Sequence, residues 1–137
     1  MISATVTSSV QFYDLDPMQV VWHGNYARFL EQARCALLDR LGYNYDEMSA
    51  DGYSWPIVDM RIKYVRPLRF KQEIVVTATL IEYENRIRIN YVIRDAASGE
   101  VATKAQTSQV AVQLATGELQ FQSPPELIER VEAAACA

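Results

Sequence analysis

Apolar and polar positions follow two different periods along this chain, and the change of period marks the elements. From Thr5 to Tyr13 β-branched residues and Val6, Val10 and Phe12 give a loose strand pattern, followed by a loop carrying Asp14, Asp16 and Pro17. About Gly24 to Leu41 the period becomes helical: with Tyr26 as origin, Phe29, Leu30, Ala33, Leu37 and Leu41 fall within about 60°. Gly42 follows the last stripe residue as a stop signal, and Arg40 suits the negative end of the helix dipole. Asn25, or the loop before it, can cap the start.

After a polar stretch with room for one short helix (Asn44 to Ser54), the period falls to two. Val58, Met60, Ile62 and Tyr64 alternate with Asp59, Arg61 and Lys63. Ile74, Val76, Ala78 and Leu80 form a second apolar row, and Ile87, Ile89, Tyr91 and Ile93 a third. Each reads as a half-buried strand. Ser98-Gly99 reads as a hairpin turn into a last strand, about Val101 to Leu114, whose apolar residues choose no clear face. Thr116-Gly117 is another turn, and Pro124-Pro125 starts a terminal helix through Val131. One helix with one apolar stripe, and one antiparallel sheet with one apolar face, predict an α+β layer structure: a five-stranded antiparallel sheet wrapped around one long helix.

Composition narrows the function classes. The chain has 137 residues, half of them hydrophobic and 22% charged, which is the balance of one globular domain spanning residues 1–137. No apolar run approaches the roughly 20 residues of a membrane helix. The N-terminus has no signal-peptide pattern, and two cysteines, Cys35 and Cys136, make no disulfide framework, so a cytoplasmic location is expected. The net charge of −4 argues against a nucleic-acid partner. Yet Arg61, Lys63, Arg66, Arg69 and Lys71 form a run with no acid in it. Such a run fits a solvated strand edge or a site for phosphates or an acidic partner.

The chemistry concentrates before the helix, from Tyr13 to Tyr26. This segment holds the chain's only histidine, His23, with Asp14 and Asp16 upstream. A helix start offers unpaired N–H groups and a partial positive charge, which together can hold an oxyanion. The same field keeps a neighbouring Asp ionised, ready to act as base or nucleophile. That pairing suits a thioester, whose leaving thiol has a pKa of about 8.5 and departs with little acid help. Other schemes fare worse. There is no G-x-S-x-G elbow, no C-x-x-C and no Gly-rich phosphate loop, and one histidine excludes His-based zinc sites. Cys35 lies about 180° from the apolar stripe, which speaks against a Cys–His pair. Neither metal nor cofactor is called for.

Asp16, His23, Asn25, Tyr26, Glu31 and Arg34, with Tyr64 and Pro67 further on, carry a resemblance. From Val10 to about Leu127 the chain resembles the hotdog-fold acyl-CoA thioesterases of the 4-hydroxybenzoyl-CoA thioesterase and YbgC type. The resemblance implies a hotdog fold and hydrolysis of acyl-CoA or acyl carrier protein thioesters. Asp16 matches the family's catalytic carboxylate, acting as nucleophile or as general base. The backbone N–H of His23 matches the donor to the thioester carbonyl, and its imidazole a site residue of many members. Tyr26 would line the pocket, and Arg66 and Arg69 would bind a remote part of the substrate. The family also builds its pocket between subunits, and an open sheet edge needs cover, so a homodimer or homotetramer is expected.

One departure is Gln19, where a small residue, often Gly, is common. Asp14 reads as structural, Glu31 and Arg34 as an i,i+3 ion pair, and Trp22 and Trp55 as core or pocket walls. Two rivals remain: a hotdog hydratase or dehydratase using His23 with Glu31 or Asp16, and a non-catalytic acyl-thioester-binding protein.

Overall fold

The computed structural model describes residues 1–136. Its main sheet has five strands: β1 (Ser3–Ser9), β3 (Ile57–Tyr64), β4 (Glu73–Glu82), β5 (Ile87–Asp95) and β6 (Val101–Gln109). They pair antiparallel in the order β1-β4-β5-β6-β3. The long helix α1 (Tyr26–Leu41) packs on β1, β4 and β5. A short helix α2 (Tyr45–Ala50), the two-residue strands β2 (Tyr53–Ser54) and β7 (Val112–Gln113), which pair with each other, and helix α3 (Pro125–Cys136) complete the described chain. This is the expected hotdog arrangement of a curved sheet around one helix.

The core follows the apolar rows. Leu30, Ala33 and Leu37 of α1 are fully buried against Ile74, Val76 and Ala78 of β4 and Ile87, Ile89 and Ile93 of β5. Each of these side chains adds roughly 1.5–3 kcal/mol when removed from water, Ala less. Helix α1 stops at Gly42, whose φ of +70° allows its N–H to reach the Asp39 carbonyl at 3.0 Å. Asn44 opens α2 with a capping box, accepting from the Tyr45 N–H while Glu47 accepts from the Asn44 N–H.

Three local expectations need correction. The first strand ends at Ser9, because the backbone turns through a single 3₁₀ turn at Phe12–Asp14, leaving Phe12 and Tyr13 exposed. The strand expected to reach Leu114 breaks after Gln109. Its inward row is mostly polar (Thr103, Thr107 and Gln109, with Ala105 between), and two of these have partners: the Thr107 hydroxyl lies 2.7 Å from the Tyr91 hydroxyl, and the Gln109 amide donates to the Trp55 carbonyl at 2.8 Å. Finally, the apolar row of β3 does not enter the core as those of β4 and β5 do: Ile62 packs against it, but Val58, Met60 and Tyr64 are each about half exposed.

Candidate active site

The segment between β1 and α1 folds as a small loop whose backbone is tied at both ends. The Asp14 carbonyl accepts from the Trp22 N–H at 3.0 Å and from the Asn25 side chain at 2.9 Å. Asn25 therefore fixes the loop instead of capping the helix. Asp14 itself is buried, accepting from the Gln11 N–H at 2.9 Å and pairing with the Arg28 guanidinium. The Val21 N–H donates to the Leu68 carbonyl at 2.9 Å, docking the loop on the β3–β4 connection. Asp14 is structural, as expected.

Asp16 lies in the turn this scaffold holds up. Its N–H donates to the Val20 carbonyl and its carbonyl accepts from the Gln19 N–H, both at 2.9 Å. Oδ1 of its side chain accepts from the Met18 N–H at 2.8 Å and, more weakly, from the Val20 N–H at 3.4 Å. Oδ2 has no partner among the described residues. One oxygen is thus anchored by the turn and the other is available. Gln19 has a φ of +64°, the left-handed region that favours glycine.

The helix start stands beside this carboxylate. A 3₁₀ turn at His23–Asn25 leads into α1, with no side-chain cap on either segment. The His23 and Gly24 N–H groups, at the first two positions of the turn, have no acceptor among the described residues. A β-carbon at Gly24 would run into the Trp22 ring, so this position needs glycine for close approach. The Tyr64 hydroxyl donates to the His23 carbonyl at 2.9 Å, clamping the helix start to the end of β3. The Tyr64 ring meets the buried Tyr26 ring edge-on, 4.7 Å between centroids. Burial, the largest influence, pushes the Tyr26 phenol pKa up. The exposed imidazole of His23 tilts against Trp22 and makes no hydrogen bond.

A cleft of about 290 Å³ brings Asp16, His23, Tyr26, Tyr64 and Arg66 together. Arg69 is not in it. A second cleft, of about 540 Å³, is also lined by Asp16, together with Arg69, Phe12, Phe70 and Gln19 among others. The basic run is therefore no single patch. Arg61 and Lys63 alternate onto the outer sheet face, where Lys63 stands opposite Lys104. Arg66 also makes a long, exposed 3.6 Å contact with Glu100.

Sequence reading missed two features. Tyr64 was placed with the motif, but its clamp on His23 depends on a contact 41 residues apart in sequence. Arg34 does not pair with Glu31. It is buried, donating to the Tyr45 hydroxyl at 3.0 Å and the Tyr91 hydroxyl at 3.3 Å. Burial, the largest single influence, lowers its pKa, but the phenol oxygens together leave it raised. Burial also pushes the Cys35 thiol pKa up, away from a nucleophile. Among the described residues there is no cluster of metal-ligating side chains, and no helix is long and apolar enough to cross a membrane.

Comparison with known proteins bears on the family and the fold. The chain is 34% identical over 104 residues to YneP of Bacillus subtilis, whose name provisionally makes it an acyl-CoA thioesterase; the match covers 75% of each chain. It is 32% identical over 75 residues to the chloroplastic acyl-acyl carrier protein thioesterase ATL3 of Arabidopsis thaliana, covering 55% of this chain and 40% of that one. Among solved structures, a DHNA-CoA thioesterase from Staphylococcus aureus superposes with a TM-score of 0.86 at 24% identity, covering 99% of this chain and 93% of the other. A family model described as the thioesterase-like superfamily matches residues 10–133. With that model covering most of its length, the chain belongs to the thioesterase-like superfamily.

Proposed function

We propose that this protein hydrolyses acyl-CoA thioesters to a free acid and CoA, with Asp16 as the reacting carboxylate. The observation that carries the reading is the Asp16 side chain, pinned through Oδ1 by the Met18 and Val20 N–H groups and unpartnered at Oδ2, in one cleft with the helix start. Acting as general base, Asp16 takes a proton from water while the water oxygen bonds to the thioester carbon. The carbonyl oxygen gains charge, the His23 N–H donates to it, and collapse breaks the C–S bond and releases thiolate. Acting as nucleophile, Oδ2 of Asp16 instead bonds to the thioester carbon, the C–S bond breaks to release thiolate, and water opens the resulting mixed anhydride to the free acid and the Asp16 carboxylate. The imidazole of His23 and the Tyr26 ring line the pocket in both routes. Relatives named for acyl-CoA and for acyl carrier protein thioesters make the two carriers the first substrates to compare.

A panel of acyl-CoAs and acyl carrier proteins assayed for thiol release tests the reading. Release from acyl-CoAs is expected; water addition without thiol release would instead identify a hydratase. Charge reversal at Arg66 and Arg69 should raise KM more than it lowers kcat. Arg66 borders one cleft that Asp16 lines and Arg69 the other, where they would hold parts of the substrate remote from the reacting carbon equally in ground and transition states. Because both contacts are near the surface, the effect should shrink at high salt. An unchanged KM would return them to plain surface charges. The free cysteines Cys35 and Cys136 accord with a reducing, cytoplasmic setting.

We also propose that the working protein is at least a dimer joined along β3. The sheet has two edges of different character. β1 offers Ser3, Thr5, Thr7 and Ser9, whereas β3 carries Val58, Met60 and Tyr64 half exposed beside Ile57. A second copy would cover this apolar edge and its unpaired backbone groups. Sedimentation should therefore give twice the chain mass or more; a fully active monomer would contradict the proposal.

A further inference from the structure

The two free N–H groups at the helix start belong to successive peptides, and each peptide is held at its carbonyl. The His23 N–H shares a plane with the Trp22 carbonyl, which accepts from the Asn25 N–H at 2.8 Å. That bond lies within the turn. The Gly24 N–H shares a plane with the His23 carbonyl, which accepts from the Tyr64 hydroxyl at 2.9 Å. That bond comes from β3, 41 residues further along the chain. Neither the 3₁₀ turn nor α1 has a side-chain cap to steady it. Tyr64 is 47% exposed, yet its hydroxyl turns to this backbone and its ring is braced edge-on against the buried Tyr26.

We infer that Tyr64 is a positioning residue: through the His23 carbonyl it orients and polarises the Gly24 N–H, which joins the His23 N–H as a donor to the thioester oxygen. The inference rests on the acyl-thioester reading of Asp16 and deepens it by naming how the donor turn is held. In a helical turn the N–H groups point back toward the start, so the two donors converge on the space before α1. A trans peptide is rigid, with its C=O and N–H in opposite directions, so fixing one fixes the other. A hydroxyl donating into the carbonyl also draws charge from that peptide and strengthens its N–H as a donor. Tyr64, His23 and Asp16 line one cleft, so the clamp lies within the site it serves.

Tyr64→Phe keeps the ring and its contact with Tyr26 and removes only the hydroxyl. It should lower kcat for acyl-CoA about tenfold, less than the roughly 10²–10³-fold loss of a whole oxyanion donor, and change KM by less than about twofold. A second readout needs no turnover. In dethia analogues of an aromatic and an aliphatic acyl-CoA, CH2 replaces the thioester sulfur and the carbonyl remains. The carbonyl stretch of the bound analogue should lie below its value in water, and Tyr64→Phe should abolish about half of that shift. A shift that depends on Tyr64 in a protein that releases no thiol would uphold the positioning role and refute the hydrolase reading. Full hydrolysis by Tyr64→Phe, with KM and the carbonyl shift unchanged, would overturn the inference and leave that reading standing. A lower kcat with an unchanged carbonyl shift would assign the hydroxyl to proton transfer or to the attacking water. A raised KM with kcat unchanged would make Tyr64 a substrate contact. Dissociation of the variant in sedimentation would make it a contact between copies. Each of these three also overturns the inference.

Discussion

Asp16→Asn should reduce thiol release at saturating acyl-CoA by at least the roughly 10²–10⁴-fold typical of losing a general base, and by more if the carboxylate is the nucleophile. The fold should tolerate the change. Asn retains an Oδ1 that accepts from the Met18 and Val20 N–H groups, so the turn keeps both side-chain bonds. The backbone bonds of Asp16 to Val20 and Gln19 do not involve the side chain at all. The substitution therefore acts on Oδ2 alone, turning an unpartnered proton acceptor into an amide that neither accepts a proton nor attacks. A melting curve within about 1 kcal/mol of the original, together with intact substrate binding, would isolate the effect to chemistry. His23→Ala should cost less, because the proposed donor is the backbone N–H, which survives substitution. If Asp16→Asn retains near-normal kcat, the mechanism is wrong. Glu31, exposed on α1 and without an ion-pair partner among the described residues, then becomes the next carboxylate to test.

How far the sequence could be read depended on whether a residue's surroundings come from the same chain segment. The buried rows of β4 and β5 were legible because alternation alone decides which face is apolar, and α1 supplies the cover. The same alternation in β3 identified the apolar side chains but not that one chain leaves them exposed; a pattern says which residues want cover, not where the cover lies. In β6 the pattern failed for a different reason. Thr103, Thr107 and Gln109 point inward as polar residues, and the hydrogen bonds of Thr107 and Gln109 come from Tyr91 and Trp55, distant in sequence. Arg34 misled for the same reason: helical spacing offers Glu31, but tertiary packing offers two phenols.

The site divides along the same line. Asp16, His23 and the uncapped start of α1 are neighbours in sequence, so spacing alone brought them together. The fork of the basic run was partly implicit in its alternation, which sends Arg61 and Lys63 to the outer sheet face. That Arg66 and Arg69 border different clefts was not, because it depends on where the loop from Leu15 to Val21 docks.

Arg28→Ala should lower stability by about 3 kcal/mol, several times the loss of an ordinary surface ion pair. The two partners differ sharply in exposure: Arg28 is 44% exposed, while Asp14 is 1% exposed. Removing the cation leaves the carboxylate buried without its counter-charge. The Gln11 N–H continues to donate to Oδ2, which keeps the cost toward the low end of the range for broken buried pairs. The Arg28 guanidinium also sits over the Tyr13 and Phe29 rings, at 5.3 and 5.8 Å from their centroids, and those contacts are lost with it. For a chain of this size the drop corresponds to a melting shift of roughly 10 °C. Because Asp14 anchors the turn that carries Asp16, kcat should also fall at temperatures well below melting. The double variant Asp14→Ala/Arg28→Ala discriminates the cause. With no carboxylate left to strand, it should be no less stable than Arg28→Ala alone, although the Gln11 N–H loses its acceptor. A double variant destabilised by the full sum of the two single losses would show that the pair contributes through packing and not through charge compensation.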